Sequence, residues 1–218
     1  MSIEYIRKTL LLLLIVLLAA AVAWLGRDVL FSQQGTKTLP ASLQGVILPQ
    51  PKVLPEFQLS DQDGQPFTQS RLLGKWTFLF FGYTHCPDIC PTTLFTLQQV
   101  HKQLAIDPAA LADTQFLFVS LDPHRDTLAI LRDYIHYFDA GFLAATGDTR
   151  VIDRLTTDLG VPYAIEDGPT PDEYVVNHSA TILLLDPQGR YYARFSTITS
   201  AAAMTADYRQ LRTYYTSQ

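Results

Sequence analysis

The stretch Trp76-Thr77-Phe78-Leu79-Phe80-Phe81-Gly82 passes directly into Tyr83-Thr84-His85-Cys86-Pro87-Asp88-Ile89-Cys90-Pro91. Residues 76–81 are apolar except for Thr77, and Gly82 closes the run. A short apolar run of this kind fits a strand buried on both faces. Beyond Pro91, residues 92–106 place Leu94, Leu97, Val100 and Leu104 at helical spacing. The two cysteines of the chain therefore sit between a buried strand and a helix.

Working outward, residues 116–121 predict a second buried strand, ended by Asp122-Pro123. Asp126 or Thr127 can cap a helix carrying Leu128, Leu131, Tyr134, Ile135 and Phe138 on one face. Residues 149–159 predict a third helix, stopped by Gly160 and Pro162. Residues 181–185 and 191–195 flank Asp186-Pro187-Gln188-Gly189, whose residue types favour a type I turn and hence a hairpin. Residues 201–215 predict a last helix. Toward the N-terminus, residues 57–59 and 66–68 flank the turn Asp61-Gln62-Asp63-Gly64, a short hairpin. Strands alternating with helices, followed by an antiparallel hairpin, predict an α/β fold with a mixed sheet.

Residues 28–55 predict a linker, rich in polar residues and containing Pro40, Pro49, Pro51 and Pro55. Residues 1–27 are different. No charge occurs between Lys8 and Arg27, and eighteen helical residues reach roughly 27 Å, just enough to cross a hydrocarbon core. Arg7 and Lys8 precede the run, which places the N-terminus in the cytoplasm and the following chain outside. The rival reading is a cleaved signal peptide, with Ala21-Val22-Ala23 as the small-x-small site. Either way, residues 56–218 form a single domain exported to an oxidising compartment.

The net charge of the chain is −5. Residues 1–27 contribute +2, so the remainder carries −7. An acidic domain does not meet nucleic-acid phosphates, and nucleic acid is excluded as a partner. Aromatic residues make up 11% and charged residues 17%, which excludes a disordered chain. Two cysteines exclude a disulfide framework.

Cys86 and Cys90 have Cys-x-x-x-Cys spacing. In extended chain such residues lie about 13 Å apart, too far to share a bond or an ion. On a helical turn their Cβ atoms come within about 5–6 Å. Pro91 suits the first helical position, which places Cys90 at the N-cap, where the helix end favours a thiolate. Asp88 opposes that effect. Two thiolates with one imidazole form a soft three-coordinate set that copper accepts, whereas closed zinc sites use four protein ligands. Of the five histidines, His85 is aimed away by its place beside Cys86, His101 lies too far down the helix, and His136 lies off its helix's apolar face. His124 and His178 remain as candidates for the third ligand. The structural alternative, a disulfide closing so short a loop, contributes only about 2 kcal/mol.

Residues 81–91 resemble the signature of the Sco (SenC) family of membrane-anchored, thioredoxin-fold copper chaperones of cytochrome c oxidase assembly. Ser120-Leu121-Asp122-Pro123-His124-Arg125-Asp126-Thr127, Thr146-Gly147, Val176-Asn177-His178-Ser179 and Asp186-Pro187-Gln188-Gly189 agree with it. The resemblance implies a thioredoxin-like fold with a mixed central sheet, flanking helices and an N-terminal hairpin. It implies copper, as Cu(I), Cu(II) or both, about one ion per chain, bound by Cys86, Cys90 and His178. Asp88 and Asn177 are neighbours of those ligands, Asn177 standing where the family usually has Asp. Cytochrome c oxidase subunit II is the implied recipient, and the implied role is a chaperone rather than an enzyme. Cys86 and Cys90 are also a candidate redox-active disulfide, and the rival class is an exported thiol–disulfide oxidoreductase. Such enzymes more often use Cys-x-x-Cys.

Overall fold

The structure is a computed structural model that describes residues 3–31, 39–170 and 173–217 of the chain. It divides into two units, Met1–Leu39 and Pro40–Gln218.

The first unit is one helix, α1 (Ile3–Phe31). Its leucines and alanines are strong helix formers. Side chains from Leu10 to Leu18 are 56–67% exposed. Among the described residues no helix is long and apolar enough to cross a membrane, so the transmembrane expectation is not met there.

In the second unit the sheet begins earlier than expected. Strand β1 (Ile47–Val53) lies inside the predicted linker and pairs antiparallel with β10 (Arg190–Ser196). The linker reading is thus corrected for residues 41–53, and residues 32–38 lie outside the described residues. The physical reason is position: β1 is an edge strand, where Pro49 and Pro51 remove donors that no neighbour needs. The pairing shifts register between Ile47 and Lys52.

The N-terminal hairpin is β2 (Gln58–Asp61) with β3 (Pro66–Thr68). Strand β4 (Trp76–Gly82) is buried at every residue. It runs parallel to β5 (Thr114–Ser120) and antiparallel to β9 (Thr181–Leu185). Strand β6 (Leu143–Thr146), which the sequence reading missed, extends the parallel segment beside β5. Its Leu-Ala-Ala-Thr has little side-chain bulk to mark it as a strand. The eight-stranded order is β1-β10-β9-β4-β5-β6-β2-β3. The mixed α/β thioredoxin-like architecture is therefore present.

The helices are α2 (Ile89–Leu104), the short α3 (Pro108–Ala112), α4 (Leu128–Phe138), α5 (Thr149–Leu159) and α6 (Ala201–Tyr215). Thr127 caps α4, accepting from the Ile130 N–H. Gly160, at φ 71°, ends α5 in the left-handed conformation. Aromatic rings fill the core: Phe78 stacks on Phe116 at 5.0 Å, Phe116 on Phe142 at 4.8 Å, and Tyr208 meets Phe78 at 4.9 Å. Apart from this sheet stands a two-stranded ribbon, β7 (Tyr163–Glu166) with β8 (Val175–His178).

Candidate metal centre

Three elements converge at the C-terminal end of β4. The strand delivers the chain to Gly82, where a Cβ would lie 2.7 Å from the Cys90 Sγ and 2.8 Å from the Phe118 ring. The missing side chain is the space the sulfur occupies. Beyond Gly82 the loop is fixed from below by Asp126, which is fully buried. Its carboxylate accepts from the Thr84 N–H (3.0 Å), the Thr84 hydroxyl (2.6 Å) and the Ser120 hydroxyl (2.6 Å). Three donors on one carboxylate satisfy a buried charge that would otherwise be costly.

Cys86, Cys90 and His178 meet here, their ligand atoms all within 4.8 Å of one another. Among the described residues no other His, Cys, Asp or Glu joins a group of this kind. Nε2 of His178 lies 3.4 Å from the Cys90 Sγ. Its Nδ1 lies 3.1 Å from the Ser179 carbonyl oxygen, which can only accept. Nδ1 can donate there, which fixes the plane of the ring and leaves Nε2 facing the sulfurs. Such a tether through the second ring nitrogen is the usual way an imidazole ligand is oriented. The group borders a cavity of about 290 Å³, lined in part by Tyr83, Ile89 and Val176.

The cysteines differ sharply. Cys86 is 9% exposed and Cys90 is 0%. The Cys86 thiol is held well below its ordinary range, chiefly because Cys90 donates a hydrogen bond to its sulfur. His178 and the backbone N–H groups of Cys90 and Asp88 add to this against the opposing effect of burial. Cys90 is driven the other way, by that same shared hydrogen bond and by burial. The expectation that Cys90 is the N-cap of the helix is also corrected. Helix α2 starts at Ile89 with Asp88 as its N-cap, so Cys90 lies inside the first turn and faces the core. Pro91 is tolerated there because the first N–H groups of a helix have no carbonyl partner.

Asp88 is exposed and its carboxylate lies 3.5 Å from the Thr92 hydroxyl. Asn177 is exposed, and its amide donates to Glu166 across the ribbon at 2.8 Å. Both border the cavity, and neither side chain reaches a ligand atom by a described bond. The other histidines are elsewhere. His85 lies beside the Thr84 hydroxyl at 3.0 Å. His101 pairs with Asp139 at 2.6 Å, and its ring meets Phe116 and Phe142 edge-on. His124 and His136 are exposed.

The sequence reading missed two features of the site. Tyr83, 2% exposed, sets its ring 6.1 Å from the His178 ring. By residue pattern Asp126 reads only as a possible helix cap. The available signal was a carboxylate six residues beyond a buried serine with no apolar reason to fold inward.

Comparison with known proteins follows the same lines. The family model described as SCO1/SenC matches residues 47–213. A putative copper-binding protein of Stutzerimonas stutzeri is 39% identical over 145 residues, covering 66% of this chain and 69% of that protein. The mitochondrial SCO2 homologue of Bos taurus is 36% identical over 155 residues; the match covers 71% of this chain but only 58% of the bovine protein's length. The structure of Bradyrhizobium japonicum ScoI with copper bound is 35% identical and superposes with a TM-score of 0.66, over 72% of this chain and 98% of that one. The matched region holds β1, both cysteines, the histidine ribbon and nearly all of α6, and the chain belongs to the SCO1/SenC family.

Proposed function

We propose that Cys86, Cys90 and His178 bind copper, about one ion per chain, and that the protein is a copper chaperone of cytochrome c oxidase assembly. The observation that carries this is the meeting of two sulfurs and one oriented imidazole nitrogen within 4.8 Å. Two thiolates suit Cu(I), and the added nitrogen suits Cu(II). The solved copper-bound ScoI of Bradyrhizobium japonicum supports the same ion. With three donors at the edge of a cavity, one side is left for a recipient's ligand to enter. We infer that the recipient is the binuclear copper site of subunit II, as the family resemblance implies. Cys90 must give up its thiol proton on binding, so loading releases acid.

Copper stoichiometry tests the assignment. Reduced full-length protein should take up about one ion, and oxidised protein little, because a disulfide offers no thiolate. Cys86→Ser and Cys90→Ser should lose most uptake. His178→Ala should weaken Cu(II) most and alter its thiolate charge-transfer absorption, leaving part of Cu(I) uptake. His124→Ala is the matched control. An altered spectrum in His124→Ala with an unchanged one in His178→Ala would sink the ligand assignment.

A second reading, thiol–disulfide exchange on a target protein, is favoured by the asymmetry of the cysteines. The Cys86 thiolate would attack a target disulfide and release one target thiolate. Cys90, losing its proton, would then attack the Cys86 sulfur and release the second. The chain ends oxidised and needs an external thiol reductant.

We also propose that α1 anchors the domain outside the cytoplasm, in the periplasm or its equivalent. Support comes from the uncharged residues 9–26 within a continuous helix and from exposed apolar side chains with no protein cover.

A further inference from the structure

The histidine of the site stands on a ribbon of only two strands, and such a hairpin has little stability of its own. One end of β8 is fixed by the chain running on to β9 and by the Ser179 N–H donating to the Pro162 carbonyl at 3.2 Å. The other end begins at Tyr174, the residue before β8. Side chains two apart on a strand share a face, so Tyr174, Val176 and His178 point the same way. Val176 is 2% exposed, which makes that face the inner one.

Tyr174 is held by a clasp from the loop after β5. Its hydroxyl donates to Oδ1 of Asp122 at 2.6 Å. The Arg125 guanidinium lies 3.5 Å over its ring centroid and donates to its carbonyl oxygen at 3.0 Å. Nε of Arg125 meets Oδ2 of the same Asp122 at 2.5 Å. The guanidinium also lies 5.7 Å from the Tyr83 ring, the ring that faces His178. The Asp122 side chain is 2% exposed and that of Arg125 13%, so the pair is shielded from solvent. A planar cation can stack on one ring and bond a carboxylate and a carbonyl edge-on, which an ammonium cannot do.

We infer that Arg125 is a positioning residue for His178: with Asp122 it fastens Tyr174 and so holds the loop end of the ribbon, keeping the imidazole over the two sulfurs. This rests on the proposed role of His178 as a ligand, and it adds Asp122, Arg125 and Tyr174 to the machinery without any of them touching the ion.

The test uses full-length apo and copper-loaded protein. Arg125→Lys keeps the charge but loses the stack and the fork. Amide exchange of Val176 and His178 in the apo protein should quicken about tenfold or more, while amides of β4 and β5 keep wild-type protection. Tyr174→Phe, which keeps the stack and loses one bond, should show a smaller increase of the same pattern. In the loaded protein both variants should shift the Cu(II) thiolate absorption toward that of His178→Ala, Arg125→Lys more than Tyr174→Phe. Wild-type exchange in the ribbon of both variants would overturn the inference, and so would loss of protection across β4 and β5 together with the ribbon. If His178→Ala itself leaves the spectrum unchanged, the ligand reading fails, and the apo exchange data alone still decide whether Arg125 orders the ribbon.

Discussion

Cys86 lies at the rim of the cavity and Cys90 is fully buried beside Gly82, and the hydrogen bond between the two thiols pushes the Cys86 titration down and that of Cys90 up. The proton rests on Cys90 because an anion is harder to bury there than at the partly open Cys86 position. Reactivity follows from that placement. Near pH 6 an ordinary thiol is almost wholly protonated, but Cys86, held well below its usual range, remains a thiolate. Iodoacetamide should therefore modify native Cys86 near pH 6 and spare Cys90 until the protein unfolds, as peptide mass analysis can read. Equal labelling of both residues would contradict the assignment of the proton. The spacing of the cysteines was legible in the sequence, and so was His178 through its family segment. The direction of the thiol asymmetry was not. It depends on where helix α2 begins, and a shift of the N-cap from Cys90 to Asp88 turned the sulfur from the helix end into the core.

At the scale of elements, the long apolar strands and amphipathic helices announced themselves by period, and the hairpin of β9 and β10 by its Asp-Pro-Gln-Gly turn. Strands β1, β6, β7 and β8 did not. The first carries two prolines, the second two alanines, and the last two form a ribbon only because of the body it packs on. Joints between elements were equally hidden, since they are made by single polar side chains far apart in sequence. Asp126 is the clearest case, tying the end of β5 to the loop that carries Cys86. Asp126→Ala leaves the half-buried Thr84 N–H and the buried Ser120 hydroxyl without their acceptor, at a cost of about 2–4 kcal/mol. For a domain of this size the melting temperature should fall by roughly 5–15 °C. A melting temperature within about a degree of wild type would mean that water or a neighbouring carbonyl replaces the carboxylate.

For the whole molecule, the charge and the exposed apolar surface point to different modes of attachment, and the two can be separated. Residues 28–218 carry −7, and the cytoplasmic and anionic lipid surfaces that hold basic proteins would repel them. Any membrane association must then come from α1. Its side chains from Leu10 to Leu18 are 56–67% exposed. Each leucine or isoleucine favours the centre of a bilayer by about 0.3–0.6 kcal/mol on insertion scales, and no charged residue within residues 9–26 opposes them. Apolar attachment is indifferent to salt, whereas electrostatic attachment weakens as the screening length shortens. The full-length chain should therefore sediment with membranes, stay there through high-salt washing, and be released only by detergent. A protease added from the outer side should digest the domain of residues 40–218 while residues near Arg7 remain protected. A mature chain beginning at Trp24 and soluble after the salt wash would identify residues 1–23 as a cleaved export signal instead, with the copper-binding domain free in the same compartment.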